Sequence, residues 1–197
     1  MDSAERLVAE RGAEAASSRA IIMAAGQRHN SAITYHFGSR KKLFDAVWIR
    51  GSGVVNRRRQ EMLGTDQTWT LAELVDIYLS PLADYIGSRS PSYWARLNEE
   101  ALRSYPVQVA SHMRQLLDEY PHEQPMDTLH AIFDRMQWMI ADATEPDAAT
   151  RVSIAVRATI STFAAWEREE QAHQATTTAA ALGHDLRKVV LAILTAP

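Results

Sequence analysis

The sequence contains no cysteine, which excludes disulfide bonds, thiolate metal sites and cysteine nucleophiles. No apolar run approaches the length of about eighteen residues that a membrane-spanning helix requires. The segment from Met1 to Arg6 lacks the basic and apolar parts of a signal peptide. These absences favour a cytoplasmic protein that has no membrane partner.

Catalytic motifs are also missing from the sequence. There is no HExxH pair, no phosphate-binding loop and no nucleophile elbow. Glu169 and His173 have the helical spacing of a shared metal site, but a lone pair of this kind usually belongs to a solvated helix face. We therefore expect no catalytic residue, no metal ligand and no cofactor, and the protein is predicted not to be an enzyme.

Strand signals are equally scarce, whereas helical periodicity runs through the whole chain. Apolar residues make up 46 % of the sequence, which is typical of a globular protein. Glycines and prolines divide the chain into about nine or ten helices. Short helices are predicted at about residues 2–11, 18–25 and 31–37, and longer ones at about 70–88, 92–104, 107–120, 126–144, 147–172 and 178–194. The fold class is predicted to be all-α.

The net charge of −3 is distributed unevenly along the chain. Residues 1–62 contain 11 Lys and Arg but 6 Asp and Glu, a balance of +5. Residues 63–197 contain 10 and 18 of these residues, a balance of −8. A basic N-terminal segment on an acidic body is typical of a protein that binds a polyanion at one end, with ordinary scatter of surface charge as the alternative.

Residues 26–42 have the pattern of a helix-turn-helix. The two short helices of this motif, predicted at residues 18–25 and 31–37, are too small to bury a core unless the flanking helices support them. Ile33 and Phe37 take the inward positions of the second helix. The outward positions hold small or hydrogen-bonding side chains, which suit contacts with base edges and phosphates: Ser31, Ala32, Thr34, Tyr35 and His36. An ordinary surface helix is the alternative, but such a helix seldom lacks Glu, Asp and Lys entirely.

Three cations, Arg40, Lys41 and Lys42, occupy the first turn of the next predicted helix. The helix dipole disfavours cations at this end, by roughly 0.3–1 kcal/mol each. A phosphate bound there would be stabilised by the helix amides and by the cations together. The placement therefore favours a phosphate contact, although long exposed side chains also tolerate such a position.

Residues 4–50 resemble the DNA-binding domain of the TetR family of repressors. The resemblance rests on the segment Leu7-Val8-Ala9-Glu10-Arg11-Gly12, on Ile21 and Ala25-Gly26, and above all on Ile33-Thr34-Tyr35-His36-Phe37-Gly38-Ser39-Arg40. It implies a helix-turn-helix DNA-binding domain over residues 1–50 and an all-helical ligand-binding and dimerisation domain over residues 51–197. It further implies a repressor that binds palindromic, double-stranded operator DNA as a homodimer and responds to a small, largely apolar effector.

The resemblance also assigns candidate DNA contacts. They are Ser17, Arg28, His29, Asn30, Ser31, Ala32, Thr34, Tyr35, His36, Arg40, Lys41 and Lys42. Two departures from the family pattern concern the DNA backbone. The first helix begins only a few residues after Met1, where the family usually has a longer and often basic arm, and Ala16 stands where a Thr is usual.

The last two predicted helices carry long apolar stripes that favour a homodimer interface through residues 147–194. Burial within one monomer is the alternative. Arginine substitutions of Val156 and Val190 are the sequence-based tests of this interface.

Adaptable and aromatic side chains in the middle of the chain are candidates for an effector pocket. They are Tyr78, Tyr85, Trp94, Met113, Phe133, Met136 and Trp138. At helical spacing each of these residues is also compatible with plain core. The existence of a cavity follows from the resemblance, not from the spacing.

Gly51 and Gly53 lie inside the predicted helix whose first turn holds Arg40, Lys41 and Lys42, and each glycine there is unfavourable relative to alanine. They predict either a pliable point between the two domains or a close contact with a neighbouring element.

Two functions compete with the ligand-responsive repressor. One is a small all-helical enzyme or carrier that uses the central cavity, for which no convergent set of catalytic groups is visible. The other is a DNA-binding regulator that a protein partner controls.

Overall fold

The computed structural model describes residues 1–29, 31–64, 68–109, 125–141 and 147–196. Within these ranges the chain forms nine helices and no strand, so the predicted all-α fold is confirmed. The helices are α1 (Asp2–Ala15), α2 (Ser18–Ala24), α3 (Ala32–Phe37), α4 (Arg40–Leu63), α5 (Leu71–Gly87), α6 (Trp94–Ser104), α7 (Pro125–Ile140), α8 (Ala148–Gln171) and α9 (Ala179–Thr195).

Several helices begin at a side chain that caps the first free backbone N–H groups. The hydroxyl oxygens of Ser17, Ser39 and Thr178 accept hydrogen bonds at the starts of α2, α4 and α9. At α5, Thr70 and Glu73 form a reciprocal capping box. Each cap stabilises its helix by about 1 kcal/mol, and together they fix where the helices begin.

Gly12 interrupts α1 near its C-terminal end. Its φ of +81° lies in the left-handed region, which glycine adopts without the strain that a Cβ would bring. The sequence predicts a helix end at this residue, and the structure adds a further turn that continues to Ala15. The turn brings the end of α1 close to the start of α4.

The helices pack as a small N-terminal group on a larger body. In the N-terminal group, α1 contacts α2 and α4, and α3 packs on α4. In the body, α5 packs on α9, α6 on α8, and α8 on α9, while α7 contacts α4, α5 and α8. The groups are joined where α1 lies against α6 and by α4, which runs from one group into the other.

The helix α4 crosses the domain boundary that the sequence places after residue 50. The predicted helix at residues 107–120 lies largely outside the described residues. No helix of the described residues is both long enough and apolar enough to cross a membrane.

Candidate functional site

The helix α3 presents an exposed polar face, as its sequence predicts. Ile33 is buried and Phe37 is half-buried, so these two side chains anchor the helix to α4 and the core. Thr34, Tyr35 and His36 point away from this anchor and are exposed, Tyr35 by 84 %. A short helix with one anchored side and one free polar side can enter a groove of DNA without unfolding.

The other predicted DNA contacts lie in α3, in the first turn of α4 and in the segments that precede α2 and α3. Every one that the structure describes is exposed, except Ala32, which is half-buried. Asn30 lies outside the described residues. Accessibility is a condition for contact with DNA, and the individual roles of these residues stay predictions.

Arg40 also holds two helices together, which the sequence does not reveal. Its Nη1 atom donates to the backbone oxygens of Ala13 and Ala16, at 3.2 and 3.4 Å, which are left free at the end of α1. Part of the guanidinium therefore ties α1 to α4. Lys41 is paired with Asp45 at 3.2 Å on the helix surface, and Lys42 extends from an exposed position one residue further on.

An ion cluster centred on the buried Glu5 fastens α1 to the body. The Glu5 side chain is 2 % exposed and accepts hydrogen bonds from Arg50 of α4, at 2.9 Å, and from Arg89 just after α5, at 2.7 Å. Arg50 also reaches Asp2 at 2.6 Å, and Arg89 donates to the Tyr85 hydroxyl at 3.1 Å. These contacts, with those of Glu100 below, are called the α1 junction.

Glu100 of α6 forms the second part of the α1 junction. Its Oε1 atom accepts a hydrogen bond from the backbone N–H of Ala13 at 3.0 Å. The same atom would lie 3.1 Å from a Cβ at Gly12, so only a residue without a side chain leaves this approach unhindered. On the other side of α6, the Trp48 indole donates to Asn98 at 3.0 Å. The helix α6 is thereby bound to both α1 and α4.

Gly51 marks the closest approach of α4 to α6. A Cβ at this position would lie 2.3 Å from the Trp94 ring, far inside van der Waals contact. The helix α4 is continuous from Arg40 to Leu63 through this point. Of the two sequence-based interpretations of Gly51, the structure favours the close contact over the pliable point.

A small cavity lies in the body, where α4, α5, α6, α7 and α8 meet. The described residues around it leave a volume of about 70 Å³. The lining is mostly apolar and aromatic, which is typical of a site for a small organic molecule. Because α6 supplies several of the lining residues, the cavity and the α1 junction share one helix.

Only some of the predicted effector residues lie at the cavity. Tyr78, Trp94 and Phe133 line the cavity. Met136 is buried but does not line it, and Tyr85 contacts Arg89 and Trp94 instead. Trp138 is 81 % exposed, which places it outside the cavity. Met113 lies outside the described residues.

Arg59 is a cavity residue that the sequence-based prediction missed. Its side chain is 4 % exposed, and burial lowers the pKa of the guanidinium to about 10. The spacing along the helix could have predicted that Arg59 is buried, because Arg59 follows the buried Val55 by four residues and precedes the buried Leu63 by four. The run Arg57-Arg58-Arg59 hid this signal, since a cluster of arginines resembles a solvated surface.

Glu167 of α8 holds the start of α6. Its carboxylate accepts hydrogen bonds from the Ser92 hydroxyl at 2.6 Å and from the backbone N–H groups of Ala95 and Arg96 at 3.0 and 2.9 Å. Burial raises the pKa of Glu167, and these three hydrogen bonds act in the opposite direction. A carboxylate at a helix N-terminus is favoured by the helix dipole, so α6 and α8 are fixed to each other at this end.

The apolar stripes of α8 and α9 are largely used inside the monomer. Val156 and Val190 are 7 % and 1 % exposed, so arginine at either position would disrupt this core and would not test a dimer interface. The apolar side chains left outside are Ile154 of α8, 46 % exposed, and Val189 of α9, 50 % exposed. These two residues replace Val156 and Val190 as probes of an interface.

Comparisons with known proteins agree with this geometry. Residues 1–47 match the family model described as bacterial regulatory proteins, tetR family. The fold is similar to that of the fatty acid degradation regulator FadR from Bacillus halodurans, with a TM-score of 0.62 and 16 % sequence identity over all of this chain and 96 % of that one. Comparison with curated protein sequences gives no match.

Proposed function

From the match of residues 1–47 to the family model of bacterial regulatory proteins, tetR family, we propose that the protein is a transcriptional repressor. It binds near-palindromic operator DNA as a homodimer and releases it when a small ligand occupies the cavity of the body. The observation that carries the proposal is the α3 face, where the exposed Thr34, Tyr35 and His36 stand on a buried anchor beside exposed cations.

The charge distribution supports DNA as the partner of this face. Residues 1–62 carry a balance of +5 in a chain whose net charge is −3. From Ser31 to Lys42 the sequence has no acidic side chain. Phosphate contacts from Lys and Arg supply most of the affinity of such a complex, and base contacts from the recognition helix supply the specificity.

A homodimer is proposed through the outer faces of α8 and α9. The exposed Ile154 and Val189 lie on these helices and would become buried between two copies. Two-fold symmetry would place the two α3 helices about one turn of DNA apart, roughly 34–36 Å.

The proposed ligand response runs through α6. This helix lines the cavity with Trp94 and Asn98 and contacts α1 through Glu100. A ligand that fits better when α6 is displaced would shift the population toward a state in which α1 and α3 are displaced as well.

Selection of operator sequences from a random pool, followed by gel-shift titration at several salt concentrations, tests the proposal. We expect a near-palindromic site and one dimer per site by light scattering. Lys42→Ala should weaken binding to all sequences alike and reduce the salt slope by about one unit, because one phosphate contact is lost. Thr34→Ala should instead change the preferred base.

Arg58→Ala is the matched control, since this exposed cation pairs with Glu61 near the C-terminal end of α4, far along that helix from Lys42. It should leave both affinity and salt slope unchanged. Ile154→Asp and Val189→Asp should yield monomers with much weaker operator binding. Absence of DNA binding by the wild-type protein at low salt contradicts the proposal.

A further inference from the structure

The cavity of the body contains one charge that the described residues do not compensate. Arg59 is the only charged residue among the described residues that line this cavity, and no carboxylate is among them. The side chain is almost fully buried, at 4 % exposed. Arg50 and Arg89, by contrast, both pair with the carboxylate of Glu5.

The hydrogen bonds that Arg59 forms with the described residues leave part of its donor capacity unused. Its Nε and Nη2 atoms donate to the backbone oxygen of Tyr78 at 3.3 and 2.8 Å, and Nη1 donates to Asn56 at 2.7 Å. A guanidinium carries five N–H donors, so one hydrogen on each Nη atom is left for another acceptor. All three acceptor contacts are to neutral oxygens.

A buried cation without an anion is unfavourable for folding. Removing a guanidinium from water is costly, and neutral acceptors compensate that cost only in part. An apolar side chain of similar volume would fill the same space without this cost. A binding function explains why a cationic side chain occupies the position, because a ligand anion would supply the missing charge.

Tyr78 supplies a second donor in the same cavity. Its hydroxyl is buried and forms no hydrogen bond of ordinary geometry with the described residues, although Thr159 lies near enough to interact with it. Burial raises the pKa of this phenol to about 12, so the hydroxyl keeps its proton at neutral pH. The Arg59 guanidinium lies over the Tyr78 ring, 5.1 Å from its centroid, so the cation contacts the ring that carries this hydroxyl.

We propose that the cavity binds a carboxylate-bearing ligand, whose carboxylate pairs with Arg59 and accepts from the Tyr78 hydroxyl while its apolar part contacts the aromatic lining. This inference rests on the proposed function in one respect, that the cavity is the effector site. A planar carboxylate matches the fork geometry of a guanidinium, and the pair is strong where water is excluded. The present volume of about 70 Å³ admits a carboxylate with a few carbon atoms, and a longer chain requires side chains to move.

Thermal unfolding of the full-length protein, without DNA, tests the inference. The probes are straight-chain carboxylates from acetate to decanoate, with benzoate, in a Tris buffer free of other organic anions. Each probe has a matched control in its primary amide, which has the same shape without the charge. We expect at least one carboxylate to raise the unfolding temperature and to bind about ten-fold or more tightly than its amide.

Arg59→Met removes the charge and keeps an apolar side chain of similar length. We expect the ratio of carboxylate to amide affinity to fall to about one. The unfolding temperature of the ligand-free variant should equal or exceed that of the wild type, because the uncompensated charge is gone; a purely structural role for Arg59 would lower it instead. Arg58→Met is the matched control, since Arg58 is exposed and pairs with Glu61, and it should keep the wild-type ratio.

Tyr78→Phe gives a second measure that does not depend on how Arg59→Met folds. It removes only the hydroxyl and should reduce the carboxylate preference several-fold. The inference is overturned if no carboxylate stabilises the wild type, if amides bind as well as carboxylates, or if Arg59→Met keeps the preference. Operator binding by the wild type is measured separately, so a protein that binds DNA without carboxylate preference overturns this inference alone.

Discussion

Glu5 at the α1 junction and Arg59 in the cavity are side chains of opposite charge, and both are buried. They are 2 % and 4 % exposed. Glu5 accepts hydrogen bonds from two arginines, whereas the hydrogen bonds of Arg59 with the described residues all go to neutral oxygens. A buried charge that holds the fold together is compensated by oppositely charged side chains, as Glu5 is by two arginines. Arg59 has no such partner among the described residues that line the cavity, which agrees with its proposed role in binding a ligand anion.

The largest expected effect comes from Glu5→Ala. This change removes the carboxylate that Arg50 and Arg89 share, and the loss of its charge-assisted hydrogen bonds to two cations costs about 3 kcal/mol. Urea unfolding should show this loss in the free energy of unfolding. Asp2→Ala is the control: Asp2 also pairs with Arg50, but its side chain is 84 % exposed, so the cost should stay below about 1 kcal/mol. Equal costs for the two variants would contradict the assignment of Glu5 as the centre of the junction.

A somewhat smaller effect is expected from Gly51→Ala. The new methyl group would overlap the Trp94 ring, and overpacking of this kind costs about 2 kcal/mol although alanine is the better helix former. In a Trp94→Leu background the overlapping ring atoms are absent, so the same change should cost little or stabilise the protein. A double-mutant cycle of unfolding free energies measures this coupling. A purely additive cycle would mean that Gly51 serves something other than the contact with Trp94.

The smallest effect concerns Glu100, which is only partly buried at the edge of the α1 junction. Glu100→Ala removes the acceptor of the Ala13 N–H group and should cost about 1 kcal/mol. Glu100→Gln keeps an acceptor oxygen and loses only the pairing with the exposed Arg103, so its cost should stay below about 0.5 kcal/mol. Unfolding curves of the two variants separate the hydrogen bond from the charge. The assignment fails if the glutamine variant is as unstable as the alanine variant.

The sequence was most informative for α3, where the pattern of one short helix is enough to predict which side chains are exposed. On α3 the spacing of Ile33 and Phe37 fixes which side is buried, and it thereby predicts that Thr34 and Tyr35 are exposed. The contact of Arg40 with the end of α1 was not predictable in this way. It depends on the extra turn after Gly12, which brings two separate segments together.

The body was harder to predict because periodicity identifies the buried face of a helix but not what that face contacts. Tyr78 and Met136 are both buried, yet only Tyr78 lines the cavity. Trp138 was expected in the cavity because it is aromatic, but it lies on the exposed side of α7. Gly51 had two interpretations in the sequence, and only the position of Trp94, 43 residues further along the chain, distinguishes them.

The α1 junction also determines how far the two parts of the chain can be recombined with other regulators. A hybrid that imports a foreign segment in place of residues 1–47 would discard Glu5 and Gly12, and it would retain Arg89 and Glu100 without their counterparts. The transferable unit is therefore not a stretch of sequence but a pair of complementary surfaces. Grafting a new operator specificity onto this body is best confined to the exposed residues of α3, which the junction does not touch.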